Sequence, residues 1–284
     1  MAKFIQLCTS ASLFNGAFDN ESGWSAAGMG DVIVTDDNRF IVIDGGYAED
    51  TAKIIDLLEG YTGGTRPTVD LWIITHSHID HYGALMEISD NASLRDRIEI
   101  KTICYYFPRE FRDQHKNLCN VKPLAQMEHI CASLGAKYLC PTLKDEIAIG
   151  DVRINFIYIP TSCDLINDRS NSNICSLVFT VTGKKKRAMV TGDAFKVTLA
   201  IILESYRTKL ECDILQLPHH ALCDTGNEEF YKEVNAKTVL LPISIAGNRA
   251  MNTIYYNQNT ANRLATESAE RVIYAFDGNA EIEI

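Results

Sequence analysis

The sequence lacks any long apolar run. Nowhere in its 284 residues does a stretch approach the roughly 18 uninterrupted apolar residues that a membrane span requires. It also lacks a Cys-x-x-Cys pair. Its nine cysteines are odd in number and scattered, which argues against a disulfide framework and against thiolate zinc ligation. They read as free thiols of a reducing cytosol. The opening Met1–Cys8 is too short and too mixed for a signal peptide, so a cytoplasmic protein is expected. Positive charge is scarce: 27 Lys and Arg stand against 37 Asp and Glu, a net charge of −10. That disfavours long nucleic acid as a partner, because counterion release needs clustered cations. The one basic run, Lys184–Arg187, reads as the solvated tip of a hairpin. Histidine is scarce too, with seven in all, which makes three within residues 76–81 informative.

What is present is an ordinary globular composition, 46% hydrophobic and 23% charged. Val32–Thr35 and Phe40–Ile43, around the polar Asp36–Arg39, predict a hairpin of two buried strands ending at Asp44-Gly45-Gly46. Helical spacing over 50–60 predicts a helix stopped by Gly60. A strand at Val69–Ile74 runs directly into Thr75-His76-Ser77-His78-Ile79-Asp80-His81. Strand content follows at Ile98–Phe107, then a helix over 122–134 closed by Gly135, then a strand at Val152–Ile159. The opening pattern then returns. Ser176–Thr182 and Ala188–Thr191 predict a second hairpin, ending at Gly192-Asp193. Strands at Cys212–Leu217 and Thr238–Pro242, a helix over 260–268 and a last strand pair near Val272–Ile284 complete the chain. No linker is visible. The expectation is one domain, 1–284, built from two similar halves, roughly 1–150 and 151–284.

His76-x-His78-x-Asp80-His81 is the strongest chemical signal. Imidazole and carboxylate suit zinc, manganese or iron(II). In extended backbone His76 and His78 point the same way and can close on one ion. Asp80 and His81, where the chain turns towards a helix, can serve a second. Asp193 ends a buried strand, where an unpaired carboxylate is costly; it reads as a bridging ligand, with a helix N-cap as the plain alternative. His219-His220 also follows an apolar strand, and two histidines in a row there favour a ligand over one buried structural histidine. Asp44 either steadies a ligand histidine or merely serves the Gly45-Gly46 turn.

In this order the motifs resemble the metallo-β-lactamase superfamily. Within it they look most like the metallo-hydrolase domain of ComEC-type competence proteins and the related phosphorylcholine esterases. The residues that carry the resemblance are Gly28-Met29-Gly30-Asp31, Ile43-Asp44-Gly45-Gly46 and Thr75–Gly83. They continue with Asn173-x-x-Ser176-Leu177-Val178, Val190–Ala194 and Leu217-Pro218-His219-His220. The resemblance implies an α/β fold, a four-layer αββα sandwich, with a two-metal site at one edge. It implies His76 and His78 on the first ion, Asp80 and His81 on the second, and Asp193 bridging. One of His219 and His220 completes the second site, and the other serves as a proton donor or phosphate contact. Asp80 and His220 are the expected catalytic residues, with Asp44 and Asn173 supporting the ligands.

The chain departs from the wider pattern. A third histidine for the first ion is missing: His115 and His129 lack the context, and the matching position carries Asn171, Ser172 and Asn173. Ala221-Leu222, with Cys223 close by, replaces the usual Gly or Ser after the histidine pair. Gly247–Ala250 lacks the histidine often found there. The expected cofactors are two divalent ions, zinc first and manganese second. The expected reaction is hydrolysis by a metal-bound hydroxide of a phosphodiester-type bond in a small substrate. Lactone, β-lactam or thioester hydrolysis on the same site is the alternative reading. A decayed metal-binding or interaction module is a third.

Overall fold

Apolar side chains alternate between two buried faces along the strands, and both faces need a covering layer. The computed structural model describes residues 1–18, 28–112, 118–160, 172–206, 210–222 and 225–284. Within these the strands are β1 (Lys3–Gln6), β2 (Gly30–Val34), β3 (Phe40–Asp44), β4 (Thr68–Ile73), β5 (Glu99–Ile100), β6 (Thr102–Cys104) and β7 (Lys137–Leu139). They continue as β8 (Glu146–Ile149), β9 (Val152–Tyr158), β10 (Val178–Thr182), β11 (Arg187–Val190), β12 (Ile214–Gln216), β13 (Thr238–Leu241), β14 (Arg271–Tyr274) and β15 (Ala280–Glu283). One sheet has the order β15-β1-β2-β3-β4-β6-β7, with β5 on β4, and the other runs β14-β13-β12-β11-β10-β9-β8.

Between the sheets lies an apolar core that includes Phe4, Ile33, Ile43, Leu71, Leu177, Phe179, Val190 and Ile214. Helices α1 (Thr51–Tyr61), α2 (Ile79–Asp90), α3 (Ala92–Arg95) and α4 (Val121–Leu134) follow in the first part of the chain. Apolar residues of α1, α2 and α4, among them Ile54, Leu85 and Met127, cover the outer face of the first sheet around Trp72. The later helices are α5 (Lys196–Tyr206), α6 (Glu228–Val234), α7 (Ile245–Met251) and α8 (Thr260–Ser268). Leu199, Phe230, Met251 and Ala265 from these cover the second sheet. The result is the αββα sandwich. Each large side chain buried this way contributes about 1.5–3 kcal/mol.

Several sequence expectations shift in detail. Gly60 lies inside α1 and does not stop it. The strand expected over 98–107 is two short strands, β5 and β6. The expected terminal pair is not a pair. β14 joins β13 in the second sheet, whereas β15 crosses back to β1 in the first. Gly135 does end α4, at a φ of 63° that a residue with a Cβ rarely adopts. The basic hairpin tip is matched by acids. Lys184 pairs with Asp36 and lies 3.7 Å from Asp151, and Lys185 lies 3.3 Å from Glu283.

One polar pair sits where the pattern calls for hydrocarbon. Gln6 and Asp31 are register partners on β1 and β2, both about 1% exposed. Asp31 Oδ2 and both side-chain polar atoms of Gln6 have no hydrogen-bond partner. Burial, and then the charge of Asp44, push the Asp31 carboxyl well above its ordinary 3.8. A folded value above the unfolded one means the proton is held more tightly in the folded chain. The stability it contributes is therefore complete below about pH 4 and is lost as pH rises through the folded value. Asp31→Asn is expected to melt higher than the parent at pH 8 and to lose that advantage at pH 4. Equal gaps at both pH values in thermal melts would refute this.

Candidate metal centre

The centre lies where strand ends of both sheets meet. Beyond β4 the chain bends at His76 and Ser77, and α2 begins at Ile79 with the extended residue His78 as its N-cap. The segment Gly28–Gly30 clamps this loop from outside. Met29 N–H donates to the Asp80 carbonyl (3.1 Å), and the Met29 carbonyl accepts from Gly45 and Gly46. Gly83 lets α2 approach: a Cβ there would lie 2.9 Å from the Gly46 carbonyl oxygen. The second sheet docks through Leu177 N–H, which donates to the Thr75 carbonyl (2.9 Å).

Two groups of side chains converge there. Asp80, His81, Asp193 and His220 form one, and His76, His78 and Asp193 form the other, each with ligand atoms within 4.8 Å of one another. Asp193 belongs to both. His81 Nε2 lies 3.3 Å from Asp193 Oδ1 and 3.5 Å from Asp80 Oδ2. His220 Nε2 lies 3.2 Å from Asp80 Oδ2 and 3.6 Å from Asp193 Oδ2. His76 Nε2 lies 3.7 Å from Asp193 Oδ2.

The buried atoms fit cations. His76 Nε2, His81 Nε2 and Asp193 Oδ1 are buried with no hydrogen-bond partner among the described residues. A buried lone pair left unmet is costly, and a divalent ion among these atoms would satisfy all three. The opposite ring nitrogens are already held. His81 Nδ1 donates to Asp44 Oδ2 (2.8 Å) and His220 Nδ1 to the Pro242 carbonyl (2.9 Å). His76 Nδ1 faces Thr75 Oγ1 at 3.2 Å. These partners fix the tautomer that leaves the inward nitrogen free to ligate.

The charges are coupled. Burial raises the Asp193 carboxyl, but His81, His220 and His76 outweigh it and hold the group well below its ordinary range. Asp80 behaves the same way, with burial outweighed by His81 and the His220 hydrogen bond. Burial lowers His81 and His220, yet Asp193 and its neighbours lift His81 well above 6.5 and His220 to about 9. Burial leaves His76 and His78 below their ordinary values.

Of the residues expected from sequence, His76, His78, Asp80, His81, Asp193 and His220 come together. His219 stands aside at the rim. Its side chain is 22% exposed, its Nε2 lies 3.9 Å from Asp193 Oδ2, and its ring packs edge-on against Phe195 at 5.0 Å. Burial lowers it to about 4, so it is neutral at pH 7. Asp44 binds both Thr75 and His81, beyond a plain turn role. Asn173 lies in the buried turn Ser172–Cys175. Its carbonyl accepts from Ser176 N–H, and Ser176 Oγ accepts from Asp193 N–H (both 3.0 Å). His129 is a surface residue, 68% exposed and 3.6 Å from Asp90. His115, Asn171 and Cys223 lie outside the described residues.

The sequence reading missed the supporting hydroxyls. Thr75 joins Asp44 to the histidines, Ser77 Oγ donates to Asn120 Oδ1 (2.7 Å), and Ser172 touches His78. Two of them carried a signal: Thr75 stands immediately before the histidine motif, and Ser172 lies at the position matching the missing third histidine. His219, His220 and Ala221 are successive left-handed residues, with φ of 48°, 55° and 56°. Such residues cost about 1–2 kcal/mol each. Strain of this kind concentrates where geometry serves a site.

Residues 31–163 match the model of the metallo-β-lactamase superfamily. No curated protein matches the chain. Among solved structures, the metallo-β-lactamase fold protein YhfI from Bacillus subtilis is similar at a TM-score of 0.57 and 12% identity, over 99% of this chain and 100% of that one. Zn(2+)-bound PqqB from Methylobacterium extorquens is similar at 0.54 and 10% identity, over the full length of both. CmlA, a diiron β-hydroxylase from Streptomyces venezuelae, is similar at 0.54 and 8% identity, over 99% of this chain and 54% of CmlA. At such identities the likeness is one of fold. Residues 31–163, which carry the histidine motif, are thus similar to the metallo-β-lactamase superfamily, and the whole chain shares the αββα fold of these solved structures.

Proposed function

We propose that the protein is a metal-dependent hydrolase acting on a phosphodiester-type bond of a small substrate. The observation that carries this reading is the pair of ligand groups sharing Asp193. Asp80, His81, His220 and Asp193 would hold one ion, and His76, His78 and Asp193 the other. Two such ions supply Lewis acidity towards the scissile group and lower the pKa of a nucleophilic water.

The chain's own residues do the rest. Asp80 is the more open carboxylate of its group, its side chain 14% exposed against 2% for Asp193. It is placed to orient the attacking water by accepting its hydrogen bond. His220, its Nδ1–H held by the Pro242 carbonyl, keeps its Nε2 directed at the ion site beside Asp80. His219, neutral and at the rim, offers a single N–H to a substrate oxygen. Burial of the remaining ligands strengthens each of these interactions.

Zinc is the first ion in this reading, as in PqqB, and manganese the second. The phosphodiester preference rests on the likeness of Asn173-x-x-Ser176-Leu177-Val178 and Leu217-Pro218-His219-His220 to the ComEC-type branch. The small substrate follows from the net charge of −10 and from the acids that engage Lys184 and Lys185. A cytoplasmic location fits the scattered cysteines, and among the described residues no helix is long and apolar enough to cross a membrane. The test sets bis-p-nitrophenyl phosphate, a β-lactam and a thioester side by side, with Zn²⁺ or Mn²⁺ added. Metal-dependent cleavage of the phosphodiester is expected. Activity confined to the lactam or thioester would sink the substrate assignment.

A further inference from the structure

The two ligand groups are unequal. Among the described residues one brings four side chains together and the other three. In the larger group both imidazoles are held from behind by strong acceptors, the buried Asp44 carboxylate and the Pro242 carbonyl. In the smaller group His76 leans on the Thr75 hydroxyl, an oxygen that already donates to Asp44. His78 has a different partner: its Nε2 lies 2.5 Å from Ser172 Oγ. Ser172 begins the turn Ser172–Cys175 and reaches His78 from 94 residues away in sequence.

The pattern of the other three rings tells which His78 nitrogen is free. Each keeps one nitrogen on an oxygen of the protein and turns the other towards the carboxylates. With Nε2 on Ser172, His78 presents Nδ1. For Nδ1 to ligate it must carry no proton, so Nε2–H is the donor and the Ser172 hydroxyl oxygen the acceptor. A serine hydroxyl is a weaker acceptor than a carboxylate, and it raises ring basicity less.

We infer that Ser172 is the positioning residue of the His76–His78–Asp193 site and sets its affinity, making this the weaker of two metal sites that fill in sequence. The inference rests on the metal-dependent reading above and adds an order of loading and a residue that controls it.

The experiment is a Zn²⁺ titration of the full-length, chelator-stripped protein, read by calorimetry and by competition with a chromogenic chelator. Wild type is expected to take up two ions in two resolved steps. Ser172→Ala is expected to weaken the second step about 10–100-fold and leave the first unchanged. Ser172→Thr, which keeps the hydroxyl, is expected to restore it. Circular dichroism and the melting temperature of the metal-free variants identify any general unfolding, and the Thr variant still decides the matter if Ala fails to fold. Equal weakening of both steps, no change in either, or no rescue by Thr would overturn the assignment of Ser172. A wild-type protein that binds no Zn²⁺ would overturn the metal-dependent reading itself.

Discussion

Asp193→Ala is expected to abolish binding of both ions at once. Among the described residues no other belongs to both ligand groups. His220→Ala should empty only the four-residue group, and His78→Ala only the three-residue one. Metal content by atomic emission, measured on the three purified variants, separates these outcomes. Retention of one full equivalent by Asp193→Ala would show that the carboxylate is not shared. The same change also strips buried charge from the metal-free protein. Asp193 is 2% exposed and faces His81 and His220. Removing one member of a buried charged pair typically costs about 3–5 kcal/mol. The sign of its pH dependence follows from His220, raised from 6.5 to about 9 in the folded chain. That contribution is complete below about pH 6.5 and is lost as pH rises through about 9. The stability gap between the metal-free parent and Asp193→Ala should therefore be wide at pH 6 and narrow above pH 9.

Asp44→Ala should be the most damaging change away from the ligands. The Asp44 side chain is fully buried and accepts three hydrogen bonds: Thr75 N–H at 2.8 Å, the Thr75 hydroxyl at 2.9 Å and His81 Nδ1 at 2.8 Å. Alanine removes the acceptor of all three, leaving His81 Nδ1 only the Thr75 hydroxyl at 3.3 Å. A loss of about 3–5 kcal/mol is expected, which at ~2–4 °C for each kcal/mol lowers the melting temperature by roughly 6–20 °C. Without its acceptor, the His81 ring is no longer fixed, and metal affinity should fall about 10–100-fold. Asp44→Asn is the informative companion. The residue sits at a φ of 54°, a region that asparagine tolerates and alanine does not. Asparagine should thus keep the backbone while removing the charge, and lose less stability than alanine. Identical melting temperatures for the two variants would mean that backbone strain is irrelevant at this position. Unaltered zinc affinity in Asp44→Ala would remove it from the support of His81.

The layers of the sandwich were legible because burial repeats. The unbroken apolar run Phe40–Ile43 and the largely apolar Ser176–Thr182 mark strands whose two faces are both covered, and the helical spacing of 122–134 marks α4 almost to the residue. The terminal strands misled because local pattern carries no partner. Arg271–Tyr274 and Ala280–Glu283 read as neighbours, yet a short turn sends them to different sheets. The ligands were legible for a different reason: rare side chains stood at the ends of apolar strands, where solvent does not explain them. Which histidine of the pair at 219–220 turns inward was not legible, since it depends on a left-handed turn that no composition rule anticipates. Ser172 was legible only as a residue at the position of the missing third histidine; its contact with the His78 ring was not.

The shared centre also bears on how the chain comes apart. Asp80 and His220 are in contact although 140 residues separate them. Cations held between them and Asp193 would close one long loop and rivet the first sheet to the second, much as a distant cross-link does. Ion release then becomes a gate on separating the sheets. Chelation should shorten the lifetime of the folded protein more than it alters its secondary structure, so a stripped sample that still looks native is the one most prone to irreversible loss.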